Sequence, residues 1–80
     1  MNWRITYAPL ADGALRRMSS RDRFEATMKA TIGSDPYGHG SDQVGKDRDR
    51  REATVAGAII RYYVSGLVLT VTVVRLIAGP

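Results

Sequence analysis

Three runs of β-forming residues close the chain, at 50–55, 58–64 and 67–76, and only Ala56-Gly57 and Ser65-Gly66 separate them. Connections that short, each holding a glycine able to take positive φ, join strands as tight hairpins. The last part of the chain is therefore expected to fold as an antiparallel meander. With 80 residues in all, what precedes it must supply the cover for that sheet and complete a single small core, so one domain spanning 1–80 is expected.

The preceding residues fit that task. Trp3, Ile5 and Tyr7 alternate with Arg4 and Thr6, the period of a strand with one buried face. Pro9 suits the first turn of a helix running to about Met18, with Leu10, Ala14, Leu15 and Met18 on one face. Ser19 or Ser20 is placed to cap a second helix, and Asp22 follows Ser19 at capping-box spacing. Phe24, Met28 and Ile32 then recur every fourth residue, Gly33 offers a left-handed stop, and Pro36 prevents resumption. The expected fold is α+β, a helical hairpin packed on one face of a small antiparallel sheet, in the order β-α-α-β-β-β. The other sheet face is left open or only partly covered.

Composition narrows the function classes. The absence of cysteine removes disulfides, thiolate zinc sites and thiol nucleophiles, and suits a cytoplasmic protein. The start, MNWRITYAPL, lacks the pattern of a signal peptide. The most apolar stretch, residues 62–74, is shorter than the roughly 20 residues of a membrane helix and is broken by Ser65-Gly66, so no membrane partner is expected. Twelve Lys and Arg against eight Asp and Glu give a net charge of +4, which favours a polyanionic partner. The excess is shared evenly by the two halves of the chain, so a basic surface has to be assembled by folding.

Within DPYGHGSDQVGKDRDRREATV, residues 35–55, lie the candidates for chemistry. His39 stands between two glycines with only Asp35 and Asp42 as nearby oxygen donors, too few ligands for a metal site, and no metal or cofactor is expected. Its setting reads as an exposed loop, with a role in proton transfer beside a bound phosphate as the alternative. Lys46, Arg48, Arg50 and Arg51 form the densest basic run, interleaved with Asp47 and Asp49. Strand alternation sends Arg50 and Arg51 to opposite faces, so at least one is expected on the open face. Arg61 shares a face with Ile59 and Tyr63, and Arg75 follows Val71 and Val73 on one face of the last strand. Two readings of these arginines stand side by side. One is an ion pair with Glu52; the other is a cationic groove in which Tyr62 and Tyr63 stack bases while arginines bind phosphate.

The succession of elements, with DPYGHGS ahead of a charged strand, then RREATVAG, IIRYYV and LTVTVVRL, resembles the RelE/ParE superfamily of bacterial type II toxins over essentially the whole chain. The resemblance implies a toxin that a cognate antitoxin holds inactive in a complex. RelE-like members enter the ribosomal A site and cut mRNA with basic residues and no metal; ParE-like members inhibit DNA gyrase. On the first pattern Lys46, Arg48, Arg50, Arg75, Tyr62 and Tyr63 are expected to contact RNA, and Arg51, Arg61 and His39 to serve catalysis. Two departures favour the alternatives, a ParE-like toxin or a non-toxic RNA-binding module. Ile59 and Ile60 stand where RelE-like nucleases carry an arginine, which comes here at Arg61, and the sequence reads IAGP where those enzymes have a tail bearing Arg, His or Tyr.

Overall fold

The computed structural model describes residues 2–78. The elements are β1 (Arg4–Tyr7), α1 (Pro9–Arg16), α2 (Arg21–Ala30), β2 (Asp42–Val44), β3 (Asp47–Val55), β4 (Ala58–Ser65) and β5 (Thr70–Ile77). The α+β class, with a helix pair against one face of a small sheet, is the one expected. The sheet has five strands in the order β1-β5-β4-β3-β2. β1 pairs in parallel with β5, which makes the sheet mixed. A parallel pair needs a long connection, and the chain from Ala8 to Leu69 supplies it.

The added strand, β2, is too short and polar to announce itself. Its place comes from pairing, Asp42 with Glu52 and Gln43 with Arg51, before an irregularity brings Val44 opposite Asp47. β3 consequently starts at Asp47, within the charged run, and the stretch read as loop is half hairpin.

One parity of each strand builds the core. In β4 Ala58, Ile60, Tyr62 and Val64 are buried while Ile59, Arg61, Tyr63 and Ser65 are exposed. Ala53 and Val55 of β3 and Val71, Val73 and Leu76 of β5 join the buried set, with Ala11, Leu15, Phe24, Met28 and Ile32 from the helical side. Leu10 departs from the reading. It is 87 % exposed, and Ala11 takes the inward position beside β5. Ser20 precedes α2 without a side-chain cap; its carbonyl accepts the Phe24 N–H at 3.0 Å.

Gly33 ends the helical segment for a different reason from the one expected. It does not take positive φ. A Cβ there would sit 2.9 Å from the Lys29 carbonyl oxygen and 3.3 Å from Ile5 Cδ1, so the glycine permits close approach. Its carbonyl accepts the Trp3 N–H at 2.7 Å, which ties β1 to the end of the helical pair.

The two hairpins also differ. Ala56 and Gly57 take φ of +48° and +83°, the tight turn that strand twist favours. The β4–β5 connection is longer, residues 66–69, and its positive φ falls on Leu69 at +48°, not on Gly66.

An irregularity in β5 decides where Arg75 goes. Arg61 pairs with Arg75 but Tyr62 pairs with Val73, so Val74 is an extra residue in the ladder. Regular alternation would continue Val71 and Val73 with Arg75 and aim a guanidinium into the core. The bulge transfers that position to Leu76 and turns Arg75 outward, which avoids burying an unpaired charge.

Candidate nucleic-acid interface

The face of the sheet away from the helices is built in cross-strand rows. Arg50 lies opposite Tyr63, which lies opposite Thr72, which pairs with Thr6. The Arg50 guanidinium carbon is 5.1 Å from the centre of the Tyr63 ring, and Thr6 donates to Thr72 at 3.3 Å. The neighbouring row is Glu52, Arg61 and Arg75. Here Arg61 Nε lies 3.3 Å from Glu52 Oε1. A shallow cavity of about 240 Å³ lies over this row, floored by Ile59 and Ile77. A second, of about 360 Å³, passes Arg50, Arg61 and Arg75 toward the uncovered end of β5 and Leu10. Arg50, Arg61, Arg75 and Tyr63 are thus brought onto one concave, accessible surface.

Arg51 goes elsewhere. It pairs with the buried Tyr62 across the ladder, on the helix side of the sheet. Its guanidinium donates to Ser41 Oγ at 2.9 Å, Ser41 O at 3.1 Å, Arg48 O at 3.1 Å and Tyr37 O at 3.5 Å. A cation whose donors are spent on backbone carbonyls clasps the segment between Pro36 and Ser41 against β3.

Tyr62 shares that work and corrects the sequence reading. It is 1 % exposed, and its hydroxyl donates to the Pro36 carbonyl at 2.6 Å. No base can stack on it. Burial pushes its pKa above the ordinary tyrosine value, which further removes it from proton transfer.

Tyr37 escaped the sequence reading, although an aromatic directly after Pro36 in a glycine-rich segment was the available signal. Its hydroxyl donates to Asp49 Oδ1 at 2.7 Å, and its ring meets Trp3 edge-on at 6.4 Å. The Arg48 guanidinium carbon lies over the ring at 4.5 Å and that of Arg51 at 5.6 Å. The Asp49 hydrogen bond raises the Tyr37 pKa, with burial adding to it. Lys46 sits exposed in the β2–β3 turn. His39, at φ +56°, is exposed, and its Nε2 lies 3.3 Å from Ser34 Oγ beyond the end of α2. Its side-chain contact is therefore with the helical segment and not with the arginine rows.

No protein-family model matches the sequence, and comparison with curated proteins returns no match. Solved structures do match in fold. The toxin–antitoxin complex RelBE2 from Mycobacterium tuberculosis contains a chain that superposes with a TM-score of 0.77 at 11 % identity, over 98 % of this chain and 99 % of that one. A mutant of the Escherichia coli toxin RelE, in complex with a peptide of its antitoxin RelB, superposes with a TM-score of 0.74 at 16 % identity, over 100 % of this chain and 86 % of that one. The fold is that of RelE-like toxins. Among the described residues no helix is long and apolar enough to cross a membrane.

Proposed function

We propose that this chain is the toxin of a type II toxin–antitoxin pair and that it inhibits translation in the bacterial cytoplasm by metal-independent, ribosome-dependent cleavage of mRNA. The observation that carries the reading is the open sheet face, where Arg50, Arg61 and Arg75 converge beside the exposed Tyr63 and only Glu52 among the described carboxylates forms an ion pair with them. Guanidinium groups grip phosphate bidentately and stabilise the charge that develops when a 2′-hydroxyl attacks the adjacent phosphodiester. Tyr63 offers a ring on which a base can stack and a hydroxyl within the same surface. Lys46, exposed in the β2–β3 turn, and Arg48, lying over Tyr37, add positive charge near the start of β3. Arg51 contributes by holding the strap over which Arg48 lies.

A cognate antitoxin fits the apolar residues left in solvent near the last strands. Leu67 is 100 % exposed and Val68 67 %, with Val74 and Ile77 further along β5. Large apolar side chains left in solvent are candidates for cover by a partner. Both structures described above are complexes with antitoxins.

The test is induced expression in a bacterial host with primer extension on cellular mRNA, beside a variant carrying Arg50→Ala and Arg75→Ala. Growth arrest with discrete cuts that the variant loses is the expected result. Arrest without cuts supports the second reading, a ParE-like toxin acting on DNA gyrase or another protein. The position of His39 favours that reading, because its side-chain hydrogen bond is with Ser34 and not with the arginine rows. Absence of arrest supports a non-toxic RNA-binding module.

A further inference from the structure

Glu52 is placed where it competes with a bound phosphate. Its Oε1 is 3.3 Å from Arg61 Nε, and the two side chains are 41 % and 46 % exposed, so an incoming anion reaches both. The register sets Arg61 directly opposite Arg75 on its other side. Like charges facing each other across a ladder repel, and the carboxylate offsets part of that repulsion. A phosphate arriving at Arg61 therefore meets a guanidinium whose Nε is already engaged and whose charge is partly offset. Arg50 and Arg75 have no carboxylate within ion-pair distance among the described residues. Arg50 instead lies over Tyr63.

We infer that Glu52 is a built-in competitor that holds Arg61 in reserve, so that the open face grips a single-stranded RNA through Arg50 and Arg75 and recruits Arg61 only when the carboxylate is displaced or neutralised. The inference rests on the RNA-binding reading above and deepens it by naming what limits affinity. Glu52 touches no RNA in this account; it is a positioning residue that acts through Arg61. It also explains why a chain with +4 net charge keeps an acid in the centre of its most basic surface. The carboxylate steadies the arginine row in the free protein at the expense of one phosphate contact.

The experiment measures binding of a labelled single-stranded RNA of about 12 nucleotides, a length near one single-strand site, across a salt series. The full-length proteins are wild type, Glu52→Gln, Asp42→Asn, Arg61→Gln and the Glu52→Gln/Arg61→Gln pair. Asp42 pairs with Glu52 in the same row but forms no ion pair with Arg61, so it reports the general effect of removing one negative charge. Glu52→Gln is expected to tighten binding at least about threefold more than Asp42→Asn. It should also steepen the dependence of log K on log salt by about 0.7, the increment for one further neutralised phosphate on a single strand. In the Arg61→Gln background the gain from Glu52→Gln should shrink to that of Asp42→Asn. A gain equal to that of Asp42→Asn, or one undiminished without Arg61, overturns the inference and leaves the RNA reading intact. Absence of RNA binding by wild type and Glu52→Gln alike overturns both. Melting curves accompany each variant, and Glu52→Thr, whose side chain suits a strand, repeats the series if the amide variant fails to fold.

Discussion

Arg50 and Arg51 are adjacent in β3 and chemically identical, yet they do opposite work. Arg51 faces the helix side, where carbonyls of Tyr37, Ser41 and Arg48 and the Ser41 hydroxyl take up its donors. Arg50 faces the open side, stacked on Tyr63 with no carboxylate paired to it among the described residues. Only the parity of the strand separates a structural clasp from the ligand contact proposed for Arg50. A basic run in a sequence is therefore a mixture of the two, and its count of charges overstates the charge offered to a partner.

The contrast between the covered and open faces can be broken most severely in the core. Phe24 is 0 % exposed, and Phe24→Ala should lower unfolding stability by about 3–5 kcal/mol by denaturant titration. Tyr63→Ala, on the open face, should lower it by less than about 1 kcal/mol while weakening RNA binding. Equal losses of stability would mean that the open face is as structural as the covered one.

Next in size is the arginine pair itself. Arg51→Ala should destabilise by about 1.5–3 kcal/mol, the range for hydrogen bonds to a charged group, and should speed hydrogen exchange between Pro36 and Ser41. Arg50→Ala should stay within about 0.5 kcal/mol of wild type and act on binding alone. Tyr62→Phe removes only the bond to the Pro36 carbonyl, and a loss of about 1 kcal/mol is expected with RNA binding unchanged.

A titration sharpens the same division. The Tyr7 hydroxyl is pushed up to about 12, first by burial and then by the nearby Glu25 carboxylate. A tyrosine whose folded pKa lies above its unfolded value near 10 stabilises the fold fully below pH 10 and loses that contribution as pH rises toward about 12. The melting temperature should fall through that window, and Tyr7→Phe should make the fall shallower. Tyr37 and Tyr62 are raised as well, so part of the slope should persist in that variant.

The sequence made the α+β class and the part of the core contributed by the second helix readable, because both rest on strong periodicities. The four-residue repeat of Phe24, Met28 and Ile32 corresponds to buried side chains without exception, whereas AIIRYYVS has no apolar–polar alternation and only its burial alternates. What escaped reading depends on pairing between strands. The bulge at Val74 moves Arg75 from the face that simple alternation assigns it, and β2 exists because β3 offers it an edge. Tyr62 and Tyr63 look equivalent in IIRYYV, and strand parity alone buries one and exposes the other. His39 is exposed, as its glycine-flanked setting implies, and its hydrogen bond to Ser34 is a tertiary contact that the sequence does not announce.

The central claim is that the open face, through Arg50 and Arg75, is where this protein meets a polyanion. The most direct measurement compares single-stranded RNA affinity of an Arg50→Gln/Arg75→Gln variant with that of wild type at one fixed salt concentration, with melting curves for both. The account predicts a loss of about tenfold or more, as expected for two charged phosphate contacts, with the melting temperature within a few degrees of wild type. Unchanged affinity in a folded variant would contradict it.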